Sequence, residues 1–228
     1  MEPLLLIDTA SPTTTVALRL QDRIFSESTR QHRQAAQQVL PLVDKILASH
    51  GVKIKDLGAI GVVNGPGSFT GMRIGVAVTQ GLSRAAGVPA IPVSSLAVMA
   101  LSAANQNSAR HWLVAMPARD DEHYIAAFRV DQDGQLSTLL TEQLLGVADL
   151  PEVSEKLPKA EDWSAAGSSF AQADVLSRLS VELNCKLPEL PMALPAVFEL
   201  LANKLASKQE FKPEQALPNY VKEQMDYS

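Results

Sequence analysis

The sequence predicts an α/β protein made of two halves, each running strands first and helices after. Three features carry this. Short apolar or β-branched runs separated by turn residues open the chain at 4–29 and recur at 111–144. A glycine-rich break, Asn64-Gly65-Pro66-Gly67, separates a buried-strand run from a helical one. A small, polar segment, Ala103 to Ser108, parts the two halves.

Leu4 to Asp8 reads as a buried strand, turned by Thr9-Ala10-Ser11-Pro12 into a second strand, Thr14 to Leu20. Gln21-Asp22-Arg23 is another tight turn before a third strand, Ile24 to Thr29. A helix follows from about Gln34 to Ser49, ended by His50-Gly51. Ala36, Val39, Leu40, Val43, Ile46 and Leu47 have the spacing of one buried face. Pro41 inside it should kink the helix or cost roughly 3 kcal/mol. Ala59 to Val63 is the next strand, and Ser68 or Thr70 caps a helix from Gly71 to about Ala86. A strand at Ala90 to Val93 and a helix from Ser94 to about Ala104 complete a ribonuclease-H-like order, βββαβαβα.

The second half repeats the pattern more weakly. Strands fall at His111–Met116, Tyr124–Val130 and Leu136–Leu144, the last two joined by the turn Asp131-Gln132-Asp133-Gly134. A strand at Trp163–Ala166 and helices near Ser169–Leu183 and Ala193–Lys208 follow. The expected division is an N-terminal lobe at 1–104 and a degenerate second copy at 109–228 whose tail packs back on the first.

Of 228 residues, 46% are hydrophobic and 20% charged, an ordinary globular balance, and no apolar run approaches the ~18 residues that span a membrane. Met1-Glu2-Pro3-Leu4 lacks the basic start of a secretory signal. Cys185 is the single cysteine, so no internal disulfide forms and a reducing cytoplasm is expected. The net charge of −5 is uneven: residues 1–107 carry 9 basic and 6 acidic groups, residues 108–228 carry 11 and 19. An acidic chain without a basic stripe is a poor candidate for holding nucleic acid by itself, though its mildly basic first half could touch phosphate inside a larger assembly.

A strand, a glycine loop and a helix N-terminus expose amides at the positive end of a dipole, with Arg73 nearby. Asp8, Gly65, Gly67, Ser68, Thr70 and Arg73 are therefore a candidate anion or nucleotide junction. A tight structural turn or docking surface explains the same glycines, and the spacing is neither a Walker loop nor a dinucleotide fingerprint. Asp8, at a strand end, is the best single catalytic candidate. On the helix after the loop, Gly71, Gly75 and Thr79 form one small-residue row, and Ala77, Gly81 and Ala85 a second. Such rows let two helices approach closely, either in this protein or across an interface. His32, His50, His111 and His123 form no i,i+4 pair, and Asp120-Asp121-Glu122 reads as a solvated turn rather than a magnesium site. No metal site and no catalytic constellation emerge.

The residues also carry a resemblance. Leu4-Leu5-Leu6-Ile7-Asp8-Thr9, followed by Thr15-Val16-Ala17-Leu18, is similar to the start of the TsaB (YeaZ) family. Gly65-Pro66-Gly67-Ser68-Phe69-Thr70-Gly71-Met72-Arg73-Ile74-Gly75 resembles its most specific signature. Ala118-Arg119 with Glu122 and Tyr124, and Pro218-Asn219-Tyr220-Val221-Lys222, resemble later family segments. The resemblance implies an actin-like ATPase fold of two ribonuclease-H-like lobes. It implies a noncatalytic role in making threonylcarbamoyladenosine beside the tRNA anticodon. In that family the chain pairs with a related TsaD, which holds metal and transfers the group, and a small ATPase, TsaE, joins the pair; TsaC supplies the activated intermediate. ATP or ADP and a divalent metal then belong to the partner complex, tRNA is met only through it, and the chain alone forms a homodimer. Pairing through the first two helices implies an interface of Val39, Leu40, Val43, Leu47, Gly71, Gly75, Val78, Thr79 and Leu82. Two departures stand out: Ala35, where relatives often carry histidine, and Pro117, where they often carry aspartate. A nucleotide-dependent enzyme of the same fold, or a peptidase-like protein, is the alternative.

Overall fold

A computed structural model describes residues 2–30, 35–159, 162–190, 193–207 and 209–221. His32, the first residue of the expected helix at Gln34, Lys208 and Lys222 lie outside the described residues. The chain divides into two compact units: Met1–Ser95 with Val197–Asn219, and Leu96–Ala196 with Tyr220–Ser228.

In the first unit, β1 (Leu4–Asp8), β2 (Thr14–Leu20), β3 (Arg23–Thr29), β4 (Ala59–Gly65) and β5 (Ala90–Ser94) form one sheet in the order β3-β2-β1-β4-β5. β1 pairs antiparallel with β2 and parallel with β4. Every residue of β1 is buried, as a strand covered on both faces requires. On one face α1 (Ala35–Ser49) and α2 (Phe69–Ala86) close a core of Leu5, Ile7, Val16, Leu18, Val43, Ile46 and Ile60. On the other lies α6 (Leu194–Ala206), whose Leu201 occupies the space a side chain at Gly61 would need; a Cβ there would stand 2.5 Å from it. α1 stays continuous through Pro41, which faces solvent.

In the second unit, β6 (His111–Pro117), β7 (Glu122–Val130), β8 (Leu136–Gly146), β9 (Trp163–Ala166) and β10 (Cys185–Leu187) are ordered β10-β9-β6-β7-β8. Read from the other edge this is β8-β7-β6-β9-β10, the order of the first sheet. The antiparallel pairs β6–β7 and β7–β8 and the parallel pairs β6–β9 and β9–β10 repeat as well. Both units are therefore ribonuclease-H-like, the duplication of the actin-like ATPase fold. The second copy is degenerate in its helices: α4 (Leu150–Lys156) and α5 (Ala173–Arg178) are short. They cover a core of Leu113, Ile125, Leu140, Trp163 and Phe170.

Three readings of the sequence change. The first boundary falls at Ser95, not after Ala104, because α3 (Ser95–Ala104) is apolar nearly all round and groups with the second unit. The polar stretch beyond it is the turn into β6, where Asn105 N donates to Leu101 O at 3.0 Å and Trp112 Nε1 to Ala109 O at 2.9 Å. The helix expected over 169–183 breaks into a 3-10 turn at Ser168–Ala171 and the short α5. Gln172 between them is extended, φ −88° and ψ 127°. α4 and β10 had no sequence counterpart. No described helix is long and apolar enough to cross a membrane.

Candidate functional site

β4 delivers the glycine loop to the C-terminal end of β1, where the turn between β1 and β2 begins. The two close on each other. Ser68 N donates to Ala10 O at 2.9 Å, and Thr9 Oγ1 donates to Gly71 O at 2.6 Å. Ser68 caps α2 in turn: its Oγ accepts from Gly71 N at 3.2 Å and its carbonyl from Met72 N at 2.8 Å. Glycine is required by proximity. A Cβ at Gly67 would stand 2.6 Å from Ala10 O, and one at Gly71 would collide with the Thr9 carbonyl.

The anion junction therefore separates into two parts. Asp8 is 1% exposed, and its Oδ1 accepts from Ala10 N at 2.9 Å and Ser11 N at 3.1 Å. Burial pushes its carboxyl above the ordinary value, against the opposing pull of bonds from Ser11 and Ala10. Asp8, the best single catalytic candidate in the sequence, is thus buried and shapes its own turn. Gly65 is buried too, with φ 109°, and Gly67 abuts the turn. Ser68, Thr70 and Arg73 lie outward, with the Arg73 guanidinium 3.7 Å from the centroid of the half-exposed Phe69 ring.

The interface residues divide in the same way. Val39, Val43 and Leu47 sit in the core of the first unit, and Val78 and Leu82 pack against that core half-buried. Leu40 is 50% exposed. Gly71, Gly75 and Thr79 are buried, and a Cβ on Gly75 would lie 2.5 Å from Thr9 Oγ1. Of the two uses left open for this row, packing within the protein is the one seen: all three, expected in the partner interface, are buried, and Gly71 and Gly75 let α2 settle on the β1–β2 turn. The second row faces away. Ala77, Gly81 and Ala85 are exposed, and nothing lies within 4 Å of a Cβ at Gly81. Arg73 and Arg84 bracket this open row, and Ala36, Leu40 and Pro41 are exposed on α1.

One site escaped the sequence reading. Gly167, the residue after β9, has φ 113°, close to the φ 109° of Gly65 at the end of β4. In this second copy of the loop, Ser169 Oγ meets His123 Nδ1 at 2.7 Å, with both residues buried. His123 Nε2 has no partner. Burial lowers the pKa of the imidazole, against Asp174 and Asp121, which raise it. The pair lies 46 residues apart in sequence, a separation no local motif reveals. Ala35 is buried at the start of α1 and Pro117 is exposed at the end of β6, so the two departures from the family pattern lie in separate units. Among the described residues no group of three His, Cys, Asp or Glu side chains could hold a metal ion.

A duplicated ribonuclease-H-like chain with a self-sealed glycine loop and an outward small-residue helix face is thus defined. The family whose model is described as "TsaD: tRNA N6-adenosine threonylcarbamoyltransferase" matches residues 24–217. The Escherichia coli protein named tRNA threonylcarbamoyladenosine biosynthesis protein TsaB is 33% identical over 87% of this chain and 84% of its own. A Pseudomonas aeruginosa crystal structure of an uncharacterized protein with similarity to peptidase YEAZ is 31% identical. It superposes with a TM-score of 0.81 over 97% of this chain and all of that one. YeaZ from the same organism gives 29% identity and a TM-score of 0.79 over 96% and 100%. The chain belongs to the TsaB (YeaZ) family, within the wider family that the TsaD model describes.

Proposed function

We propose that this chain is a noncatalytic subunit of the machinery that attaches a threonylcarbamoyl group to adenosine in tRNA. In this reading it works in the cytoplasm and docks its α1–α2 face on the matching helices of a TsaD-like partner, with a TsaE-like ATPase joining the pair. Nucleotide and divalent metal belong to that assembly, and tRNA is met through it. The observation that carries the reading is the orientation of α2. In its inward row Gly71 and Gly75 are used up on the protein's own turn and Thr79 is buried, while Ala77–Gly81–Ala85 stands open to a second helix.

Two enzyme readings fare worse. A phosphotransferase needs a carboxylate at the substrate, and Asp8 is sealed beneath its own turn. A peptidase needs an accessible nucleophile. The hydroxyl–imidazole pair of Ser169 and His123 is 0% and 2% exposed, so no peptide carbonyl reaches it.

The test is threonylcarbamoyladenosine formation on tRNA in a mixture of TsaC, TsaD and TsaE that lacks only the TsaB component. Adding this chain is expected to restore product, while the chain alone makes none. Asp8→Asn is expected to restore it equally and Gly81→Arg to fail while remaining folded. Product made by the chain alone, or full activity of Gly81→Arg, would sink the reading.

A further inference from the structure

The stretch after α6 returns along the first unit and ends on α2 and β4. A 3-10 turn at Pro213–Gln215 delivers Ala216, which is fully buried against Val62 of β4, Val76 of α2 and Ala90 of β5. Polar clips flank it. Gln80 Nε2, on α2, donates to Ala216 O at 2.8 Å. Asn64 Nδ2, on β4, donates to Leu217 O at 2.9 Å, and Asn64 O accepts from Asn219 N at 2.9 Å. Leu217, between these clips, is 59% exposed.

The places where this segment touches α2 are significant. Val76 and Gln80 immediately flank Ala77 and Gly81, the residues of the outward row. The N-terminal end of α2 is already fixed by the Ser68 cap and the Thr9–Gly71 bond. Farther along, Gly75 packs on Thr9, but among the described residues no hydrogen bond joins that stretch to the turn; the returning segment adds hydrogen bonds there through Gln80 of α2 and Asn64 of β4. Two helices that meet over glycine and alanine approach backbone to backbone, so a small displacement of one removes the close contact.

We propose that residues 213–219 are a positioning strap, which locks the middle of α2 to the end of β4 and so sets the small-residue row for partner docking. The docking half of this proposal rests on the partner role proposed above; the coupling of strap to helix does not. The residues act through α2 and touch no reacting group.

The experiment uses the full chain and reads two quantities at 25 °C, where circular dichroism verifies folding: hydrogen exchange across 71–86 and the Kd for a TsaD-like partner. Gln80→Leu keeps helix propensity and deletes the donor, Gln80→Lys keeps a donor, and Ala216→Gln forces the strap from its seat. Gln80→Leu and Ala216→Gln are expected to speed exchange around 76–82 at least tenfold and weaken partner binding at least fivefold. Gln80→Lys is expected to stay near wild type in both. If Ala216→Gln fails to fold, Gln80→Leu decides. A strap with a merely structural role would lower the melting temperature and leave Kd of the folded protein unmoved, which overturns the proposal, as does unchanged exchange in α2. A wild-type chain that captures no partner overturns the docking half together with the partner role. The exchange measurement then decides the coupling of strap and helix alone.

Discussion

Gly75 and Gly81 lie on one helix about 120° apart around its axis, one inward and one open to solvent, so the same substitution has opposite consequences. A methyl group on Gly75 would press on Thr9 Oγ1, whereas at Gly81 it meets open space. Gly75→Ala should therefore cost about 1–3 kcal/mol through overpacking. Gly81→Ala should add about 1 kcal/mol, because a helical glycine is disfavoured and nothing opposes the new methyl. Urea denaturation of the two variants checks both signs, and a Gly81→Ala protein less stable than wild type would refute the assignment of faces. Asp8 gives a second test. Its folded-state pKa lies above its unfolded one, so the folded protein holds that proton more tightly. The stability Asp8 contributes is complete below the unfolded value and is lost as pH rises through the folded value. Asn keeps an acceptor for Ala10 N and Ser11 N without the charge. Asp8→Asn is thus expected to be at least as stable as wild type at pH 7, with the fall in stability on raising the pH removed. Identical pH–stability slopes for the two proteins would show that Asp8 does not titrate in this way.

At the scale of elements, strands were legible where period and burial agreed. Leu4–Asp8 is apolar throughout because both its faces are covered, and Trp163–Ala166 stands out for the same reason. The short helices α4 and α5 of the second unit were not legible. α4 has seven residues with Pro151 in its first turn, too few for a periodic stripe. The expected helix at 169–183 is interrupted where Ser169 turns its hydroxyl to His123 and Gln172 is extended, a tertiary choice that overrides local propensity. For the candidate site, spacing exposed both small-residue rows of α2 but could not say which was inward. That depends on where the β1–β2 turn lies, 62 residues away at the Thr9–Gly71 bond. The His123–Ser169 clasp between β7 and the 3-10 turn after β9 gives the prediction at this scale. Burial lowers the imidazole pKa, so its neutral form belongs to the folded state. The resulting stability is complete above the unfolded value and is lost as pH falls through the folded one. Asp174 and Asp121 moderate the loss without removing it. His123→Gln, which cannot be protonated, is expected to show a smaller drop in melting temperature than wild type between pH 7 and pH 5. An equal drop would mean that His123 is not the acid-sensitive group.

For the whole molecule, the consequence of one open helix face is competition. Under the proposed docking role, a face of small residues that accepts a partner's helices would also accept its own copy, and a two-fold pair would place α2 against α2. If one face serves both, the homodimer and the pair with a TsaD-like partner exclude each other, and partner added at equal concentration should draw the homodimer apart by mass action. Sedimentation velocity of the chain with a labelled partner reads this directly: the homodimer boundary should shrink in proportion to the mixed pair formed, with no species containing two copies of this chain and one partner. Gly81→Arg places a long cation at the centre of that face without disturbing the core, since nothing lies within 4 Å of the added Cβ. It should abolish both species together and leave a folded monomer. A variant that stays homodimeric but no longer binds the partner would show that two surfaces are in use, and the competition would then fail as well.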